Sequence, residues 1–450
     1  MKHVPIVVLL ALSIGVIGCG SDAPEWPTMT LEGSVKIRAE IDSTTNYSGF
    51  ELLVYRQLEG EDADTLGIAT TDTTGYFMME ISVPERGVYP LLISRYGTPL
   101  HQEEMAVVAG DAATVDAVLP TAAPLRIRSA ENVAWVAYRN TRAQHQRSLN
   151  EVLTGGSIDP EAIRRTVEAT STIYTSLART FPGTMGAEVA SAESVIMLAG
   201  WNDAMALERL DSLSIDNVRI VDVLRAARRA AARESGLEAG LALLEGWKAK
   251  TDDQVLRAAI QSEQVLALID SLQQDRALIA ARDLRAQNAG AGWDQWADNA
   301  IYELENLMPG MIAPDVVVRT YPDSALVETA SLRGKLVLLE FYAPGATSFE
   351  AEIAQRNEVI DLLDPRIFAS ISVSVDPDTL RNEAYIDSRQ LLGQHVIAPD
   401  GLRGDLASLY NVNVLPTRYL LDADGRIAGK YTGRAMERLV SDLALMLNAQ

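Results

Sequence analysis

Four hundred and fifty residues contain one cysteine, Cys19. An internal disulfide needs two thiols, so neither a disulfide scaffold nor a self-contained dithiol redox couple is open to this chain. Histidine is nearly as scarce. Beyond His3 there are His101, His145 and His395, far apart and with neither an H-x-x-x-H spacing nor a cysteine partner, which argues against a metal site. Positive charge is also short: 61 Asp and Glu stand against 39 Lys and Arg, a net charge of −22. Nucleic acid and anionic lipid both call for clustered cations, so no nucleic-acid partner is expected, and no motif asks for a cofactor. At roughly 100 to 200 residues per domain, the length predicts two to four domains.

What is present begins with the leader. Lys2 is followed by an apolar run from Val4 to Ile17 and then by Gly18-Cys19. The run is shorter than the ~20 residues that span a bilayer and has the layout of a secretory signal. Val16-Ile17-Gly18-Cys19 resembles the bacterial lipoprotein signal. That resemblance implies removal of residues 1–18, acylation of Cys19, a linker over 19–28, and attachment to the membrane through the N-terminal lipid. Acyl chains contribute about 0.8 kcal/mol per buried CH₂, so several together anchor stably. An ordinary secretory signal with a leftover thiol is the alternative. Gly20, in place of an Asp after the cysteine, resembles lipoproteins sent to the outer membrane. The expected location is the cell envelope, facing the periplasm or the exterior.

Three blocks follow. From 29 to 120 the pattern has period two: Val35, Ile37, Ala39 and Ile41 alternate with Lys36, Arg38, Glu40 and Asp42. Further strands are predicted over Phe50 to Arg56, Thr65 to Thr71, Tyr76 to Ile81, Val88 to Ser94 and Glu104 to Val108, with Asp72-Thr73-Thr74-Gly75 as a tight turn. This reads as an antiparallel β-sandwich. Thr71 to Phe77, Gly87-Val88-Tyr89 and Val108 to Asp111 resemble the small β-domains ahead of thioredoxin domains in extracytoplasmic bacterial proteins.

From 125 to 308 the period becomes 3.6, and an all-α block of six to eight helices is predicted, with no proline between Pro182 and Pro309. Asp159-Pro160-Glu161 is a helix start, and Ile163, Val167, Tyr174 and Leu177 share a face. Arg225, Arg228, Arg229 and Arg233 form a basic face, expected to be solvated and paired to local acids rather than to bind an anion. Trp293 and Trp296 are expected to pack against the next domain.

From 312 to 450 the order is strand, helix, strand and a closing pair of strands, and Leu336-Val337-Leu338-Leu339 reads as a strand buried on both faces. Ala313-Pro314-Asp315, Leu332 to Lys335, Glu340-Phe341-Tyr342-Ala343, Ser372 to Asp376, Tyr410-Asn411-Val412, Leu415-Pro416-Thr417 and Leu420 to Ile427 resemble, in order, the TlpA-like and ResA-like thioredoxin-fold proteins of the bacterial envelope. In that family the aromatic-Ala pair leads into W-C-x-x-C. Here Gly345 takes the tryptophan place, and Ala346 and Phe349 take the cysteine places. A methyl and a phenyl ring cannot exchange disulfides. Thr347 and Ser348 are expected to cap the following helix. By the same resemblance Glu340 corresponds to a buried acid, expected to remain as a core carboxylate. Pro416 corresponds to a cis-proline whose neighbours Leu415 and Thr417 meet an extended peptide. Phe349 is then either a contact for that peptide or a plug in its groove.

These readings combine into a multidomain chain: N-terminal β-sandwich, central all-α block and C-terminal α/β thioredoxin-like domain. The function expected is a lipid-anchored, redox-inactive adaptor for an extracytoplasmic protein or peptide, with no catalytic residues. An enzyme with non-thiol chemistry in the helical block or at a domain interface, and a subunit whose partner supplies the cysteines, stay open as alternatives.

Overall fold

The structure, a computed structural model, describes residues 26–41, 44–57, 63–154, 159–398 and 400–448, so Cys19 and the leader lie outside the described residues. The chain divides into two compact units, one running to Asn202 with Asn217–Arg219, the other holding Asp203–Asp216 and the chain from Ile220 onward.

In the first unit, β1 (Thr28–Ile37), β4 (Tyr76–Ser82), β7 (Ala112–Leu119) and β8 (Ile127–Arg128) form one sheet in the order β4-β1-β7-β8. The strands β2 (Phe50–Arg56), β3 (Asp64–Thr70), β5 (Gly87–Arg95) and β6 (Thr98–Val107) form a second, ordered β3-β2-β5-β6. Alternation places Leu31, Val35, Leu52, Val54, Phe77, Met79, Leu91, Ile93 and Val115 in one shared apolar core. Three details differ from the sequence reading. β1 ends at Ile37, and Ile41 is exposed in a turn. The sandwich is not wholly antiparallel, because β7 (Ala112–Leu119), a strand beyond those predicted, pairs with β1 in parallel. β6 also begins earlier than Glu104, since its first half is an exposed edge with no apolar alternation to reveal it. The turn at Asp72 is built as its residues suggest: the carboxylate accepts from the Thr74 and Tyr76 N–H groups at 2.8 and 3.0 Å. Gly75 there has φ +87°, and a Cβ would lie 2.3 Å from the Val35 carbonyl oxygen.

The helices α1 (Ala130–Thr154), α2 (Pro160–Thr180) and α3 (Met185–Ile196) complete this unit. Asp159 caps α2 by accepting from the Glu161 N–H at 3.0 Å, and Ile163, Val167, Tyr174 and Leu177 are all buried.

The second unit opens with α4 (Asp203–Leu210), α5 (Ile220–Ser235), α6 (Leu237–Lys248), α7 (Gln254–Asp270), α8 (Gln274–Ala286) and α9 (Ala291–Asn306), making nine helices between 130 and 306 among the described residues. That exceeds six to eight: α4, at eight residues, carries too few turns to show a stripe. Three of the four arginines of α5 are paired with acids, Arg229 is exposed without an ion pair among the described residues, and not all of the paired ones are solvated. Arg228 is buried against Glu263 at 3.0 Å, Arg225 joins the same carboxylate at 2.7 Å, and Arg233 meets Asp203 at 2.7 Å. Trp293 and Trp296 pack on Ala258 of α7, Leu284 of α8 and Ala297 of their own helix rather than on the next domain. The contacts to the α/β domain come instead from the other end of α9: Tyr302 donates to the Leu409 carbonyl at 3.0 Å, and Glu303 accepts from Asn411 at 2.7 Å and meets Lys430 at 2.8 Å.

That domain begins with a short hairpin, β9 (Val317–Arg319) and β10 (Leu326–Glu328). There follow β11 (Leu336–Tyr342), α10 (Thr347–Glu350), α11 (Ile353–Leu362), β12 (Phe368–Ser374), α12 (Thr379–Arg389), β13 (Gln394–Ile397), α13 (Asp405–Leu409), β14 (Thr417–Leu421), β15 (Ile427–Thr432) and α14 (Met436–Asn448). The sheet order is β13-β12-β11-β14-β15, with β11, β12 and β13 parallel and the last two strands antiparallel. Val337, Leu339 and Phe341 face the core shared with α13 and Leu307, whereas Leu336 and Leu338 face α11 and α14. β11 is buried at all seven positions, as a central strand covered on both faces must be. The single helix expected from Phe349 to Leu363 is broken into α10 and α11 at Ala351 and Glu352.

Candidate functional site

Period two along β11 puts Glu340 on the same face as Leu338 and Tyr342, in the interior of the domain. In the sheet register its neighbours are Ser372 on β12 and Arg418 on β14. Arg418 Nε donates to Glu340 Oε1 at 2.6 Å, and Arg356 Nε, from α11 above, donates to Oε2 at 2.6 Å. Ser372 Oγ donates to the same Oε2 at 3.1 Å and accepts from Arg356 at 2.6 Å. Arg418 continues to Glu352 at 2.8 Å, and the other oxygen of Glu352 accepts from the Met436 N–H, at the start of α14, at 3.0 Å. Both guanidinium groups and Glu340 are 0% exposed. Two acids and two bases cancel, so the set is neutral, and one nitrogen, Arg418 Nη2, has no partner among the described residues.

Burial by itself pushes the Glu340 carboxyl up, but the charges and hydrogen bonds of Arg356 and Arg418 outweigh it and hold the group down at about 2. A carboxylate locked between two guanidiniums is a poor proton carrier. On β13, with Ser372 of β12 between it and Glu340 in the register, His395 uses Nε2 against the Leu391 carbonyl at 2.9 Å, so that nitrogen carries the proton and Nδ1 is a bare acceptor without a partner among the described residues. Burial pushes its imidazole below the usual value, which the Leu391 carbonyl only partly offsets.

One turn onward lie the positions that the family resemblance assigns to thiols. Gly345 holds φ +78°, a left-handed conformation that suits glycine. Ala346, half-buried, occupies the N-cap position of α10. Phe349 is 0% exposed, its ring stacked on Tyr342 at 4.5 Å between centroids and 18° between planes, with Ile386 and Leu391 around it. The expected capping by Thr347 and Ser348 is absent. α10 has no side-chain cap, and Ser348 instead turns its hydroxyl across to the Leu415 carbonyl at 3.0 Å. Its proton is thereby committed to a carbonyl oxygen rather than to a base.

Leu415 is half-buried, Pro416 and Thr417 are buried, and the Leu415-Pro416 bond is cis. Thr417 turns its hydroxyl back to the Val414 carbonyl at 2.6 Å, and the Pro416 carbonyl accepts from the Gly433 N–H at 2.8 Å. Of this loop Asn413 and Val414 are exposed and Leu415 is half-buried. The structure therefore brings Ser348 and Leu415 together above a ring stack, and Glu340 into a separate buried ion set. Arg356, Arg418, Glu352 and Ser348 were not singled out for these roles. A signal for one of them exists: Arg418 interrupts the apolar strand Thr417–Leu421 as Glu340 interrupts β11, and two opposite charges inside buried strands are expected to meet. No group of three or more His, Cys, Asp or Glu side chains among the described residues is placed to hold a metal ion.

Comparison with known proteins bears on this domain. No family model matches the chain. The thiol-disulfide oxidoreductase ResA of Oceanobacillus iheyensis is 26% identical over 158 residues, 34% of this chain and 78% of ResA. Among solved structures, a thiol-disulfide oxidoreductase from Bacteroides fragilis is 24% identical with a TM-score of 0.26, covering 29% of this chain and 98% of that one. StoA from Bacillus subtilis is 18% identical with a TM-score of 0.26, again covering 29% and 98%. The α/β domain is thioredoxin-like by its strand order, and the similarity to ResA extends over about a third of the chain.

Proposed function

We propose that this protein is a redox-inactive, lipid-anchored adaptor of the cell envelope, in which a thioredoxin-like domain with a degenerate active site holds a binding surface instead of an electron-transfer centre. The observation that carries the reading is the pair Ala346 and Phe349, with Phe349 buried against Tyr342 where a resolving sulfur would have to be reached. Disulfide exchange proceeds through thiolate attack and a mixed disulfide, and neither side chain can form one. Peptide recognition by strand addition needs only backbone groups. The Leu415 N–H has no acceptor among the described residues, while its carbonyl keeps one lone pair beside the Ser348 hydroxyl. Phe349 is a plug in this reading, because a side chain without exposed surface has none to offer a peptide.

The test is insulin reduction by dithiothreitol in the presence of the full chain and of its Cys19→Ser variant. Both should leave the rate at that of the no-protein control. Acceleration by either would overturn the redox-inactive reading. Anchoring is tested on the same pair: wild type should fractionate with membranes and carry acyl mass on a peptide beginning at Cys19, and the variant should be released.

A further inference from the structure

The sandwich carries a strand edge that its own sheet does not use. β6 is an outer strand with β5 as its one neighbour. Pro90 of β5 stands opposite Glu104. Proline has no N–H to exchange, so this is a non-hydrogen-bonded pair, and the N–H and C=O of Glu104 point away from β5. By period two those of Gln102 and Ala106 do the same. Ala106 is already satisfied. Asn132, buried at the start of α1, accepts from its N–H at 2.9 Å and donates to its C=O at 3.0 Å, as the peptide group of an adjoining strand would. Past Ala106 that imitation stops. The Glu104 N–H has only the carboxylate of the adjacent Glu103, at 3.4 Å, and no described strand pairs with Gln102 on this side.

Alongside these groups runs a cleft of about 490 Å³ bordered by Glu104, Leu125, Val133, Val136 and Arg139. Val133 and Val136 lie three apart on α1 and are 45% and 42% exposed, which makes an apolar wall facing no other described element's core. Arg139 lies 3.3 Å from the Glu104 carboxylate. Arg126, exposed on the same border, has no acid within ion-pair distance among the described residues. In a chain of net charge −22 this is a place where an unpaired cation adjoins apolar surface and open backbone groups. The net charge disfavours a second copy of this chain and an anionic lipid surface alike, and because Arg139 lies 3.6 Å from the Glu103 carboxylate and 3.3 Å from that of Glu104, Arg126 is left to meet a single carboxylate on an occupant.

We propose that this cleft receives an extended, carboxylate-bearing peptide segment of another protein as an added strand on β6. The segment pairs with the backbone of Gln102 and Glu104 and ends against Asn132. Its apolar side chains rest on Val133 and Val136, and its carboxylate meets Arg126. The inference stands apart from the thioredoxin-like domain and does not rest on its being redox-inactive.

The probe is an acetylated, amidated peptide of alternating valine and threonine with one central aspartate, titrated into the full chain. Amide exchange at Gln102 and Glu104 should slow on binding, with no change along β3, the opposite edge of the same sheet. N-methylation of the peptide residues that face β6 should weaken binding about thirtyfold, since two backbone hydrogen bonds are lost, while methylation of the alternate residues leaves it within about twofold. Arg126→Gln and an aspartate-to-asparagine peptide should each weaken binding, and together no more than either one. Absence of binding at millimolar peptide, equal loss from both methylation patterns, or equal protection of β3 would overturn the proposal. The protein itself stays unaltered in the methylation arms, so misfolding cannot imitate a negative result.

Discussion

The sandwich and the thioredoxin-like sheet bury their strands to similar depth by different means. Among the described residues of the sandwich no Asp, Glu, Lys or Arg is buried, and its core is an alternation of Leu, Val, Ile, Phe and Met. The C-terminal sheet has apolar layers too, yet it carries Glu340, Arg356, Arg418 and Glu352 inside. A buried ion set gains little over an apolar filling of the same volume, because desolvation consumes most of the Coulomb attraction. Removing one member is costly, because its partner is left charged in the interior. The sandwich should therefore answer to lost volume and the sheet to unbalanced charge.

The largest expected effect breaks that contrast if it fails. Arg418→Met leaves Glu352 without its guanidinium and Glu340 with one, and should cost about 3–5 kcal/mol in denaturant unfolding, with exchange protection lost first in β11 and β14. Replacing Glu340, Arg356, Arg418 and Glu352 together by Leu and Met should recover most of this loss. A quadruple variant no better than the single one would mean that the ions contribute specific contacts beyond charge balance. In the sandwich, by comparison, Leu52→Ala should cost about 2–5 kcal/mol from cavity formation alone and show no rescue by any charge change.

Phe349→Ala sharpens the comparison within the C-terminal domain. Loss of a fully buried ring stacked on Tyr342 should cost about 3–5 kcal/mol. It should also raise affinity for peptides at the Leu415 loop, because the plug is gone; weaker binding would reassign Phe349 as a contact.

Acid should separate the two regions more gently. His395 and Glu340 both have depressed values in the folded state, so each contributes stability that is present above its unfolded value and lost as pH falls. His395 should begin to weaken the domain as pH drops below 6.5, and Glu340 as it drops from 4.5 toward about 2. Amide exchange across β11, β12 and β14 should quicken through these windows while the sandwich core strands stay unchanged. His395→Gln should remove the upper window and leave the lower. The smallest effect belongs to Ser348→Ala, about 0.5–1.5 kcal/mol for one lost hydrogen bond, with peptide affinity at Leu415 rising if the hydroxyl competes for that carbonyl.

Legibility followed the range over which a residue meets its partners. β2 is read from its own alternation over Phe50–Arg56, and the start of α2 from Asp159-Pro160-Glu161, because strand faces and helix caps are settled within a few residues. β7 is hard to read although its apolar positions alternate, since Ala113 and Ala117 are small and its partner β1 lies some eighty residues earlier. Glu340 stands out within an apolar run, but its partners do not: Arg356 is 16 residues away, Arg418 is 78, and Glu352 meets Arg418 across 66. Ser348 looked like a cap, because nothing in its neighbourhood reveals a carbonyl 67 residues onward.

The amino-acid sequence by itself determined that no dithiol chemistry can occur within this chain, because one sulfur among the cysteines is an inventory that no fold can enlarge. It also determined where strands alternate and where helices begin, since those follow from local period and capping. Only the tertiary structure decided what became of the side chains around Gly345 and Ala346. Whether Glu340 is a proton carrier or a locked anion, and whether Ser348 caps a helix or closes a carbonyl, both depend on which distant group lies within about 3 Å, the reach of a hydrogen bond.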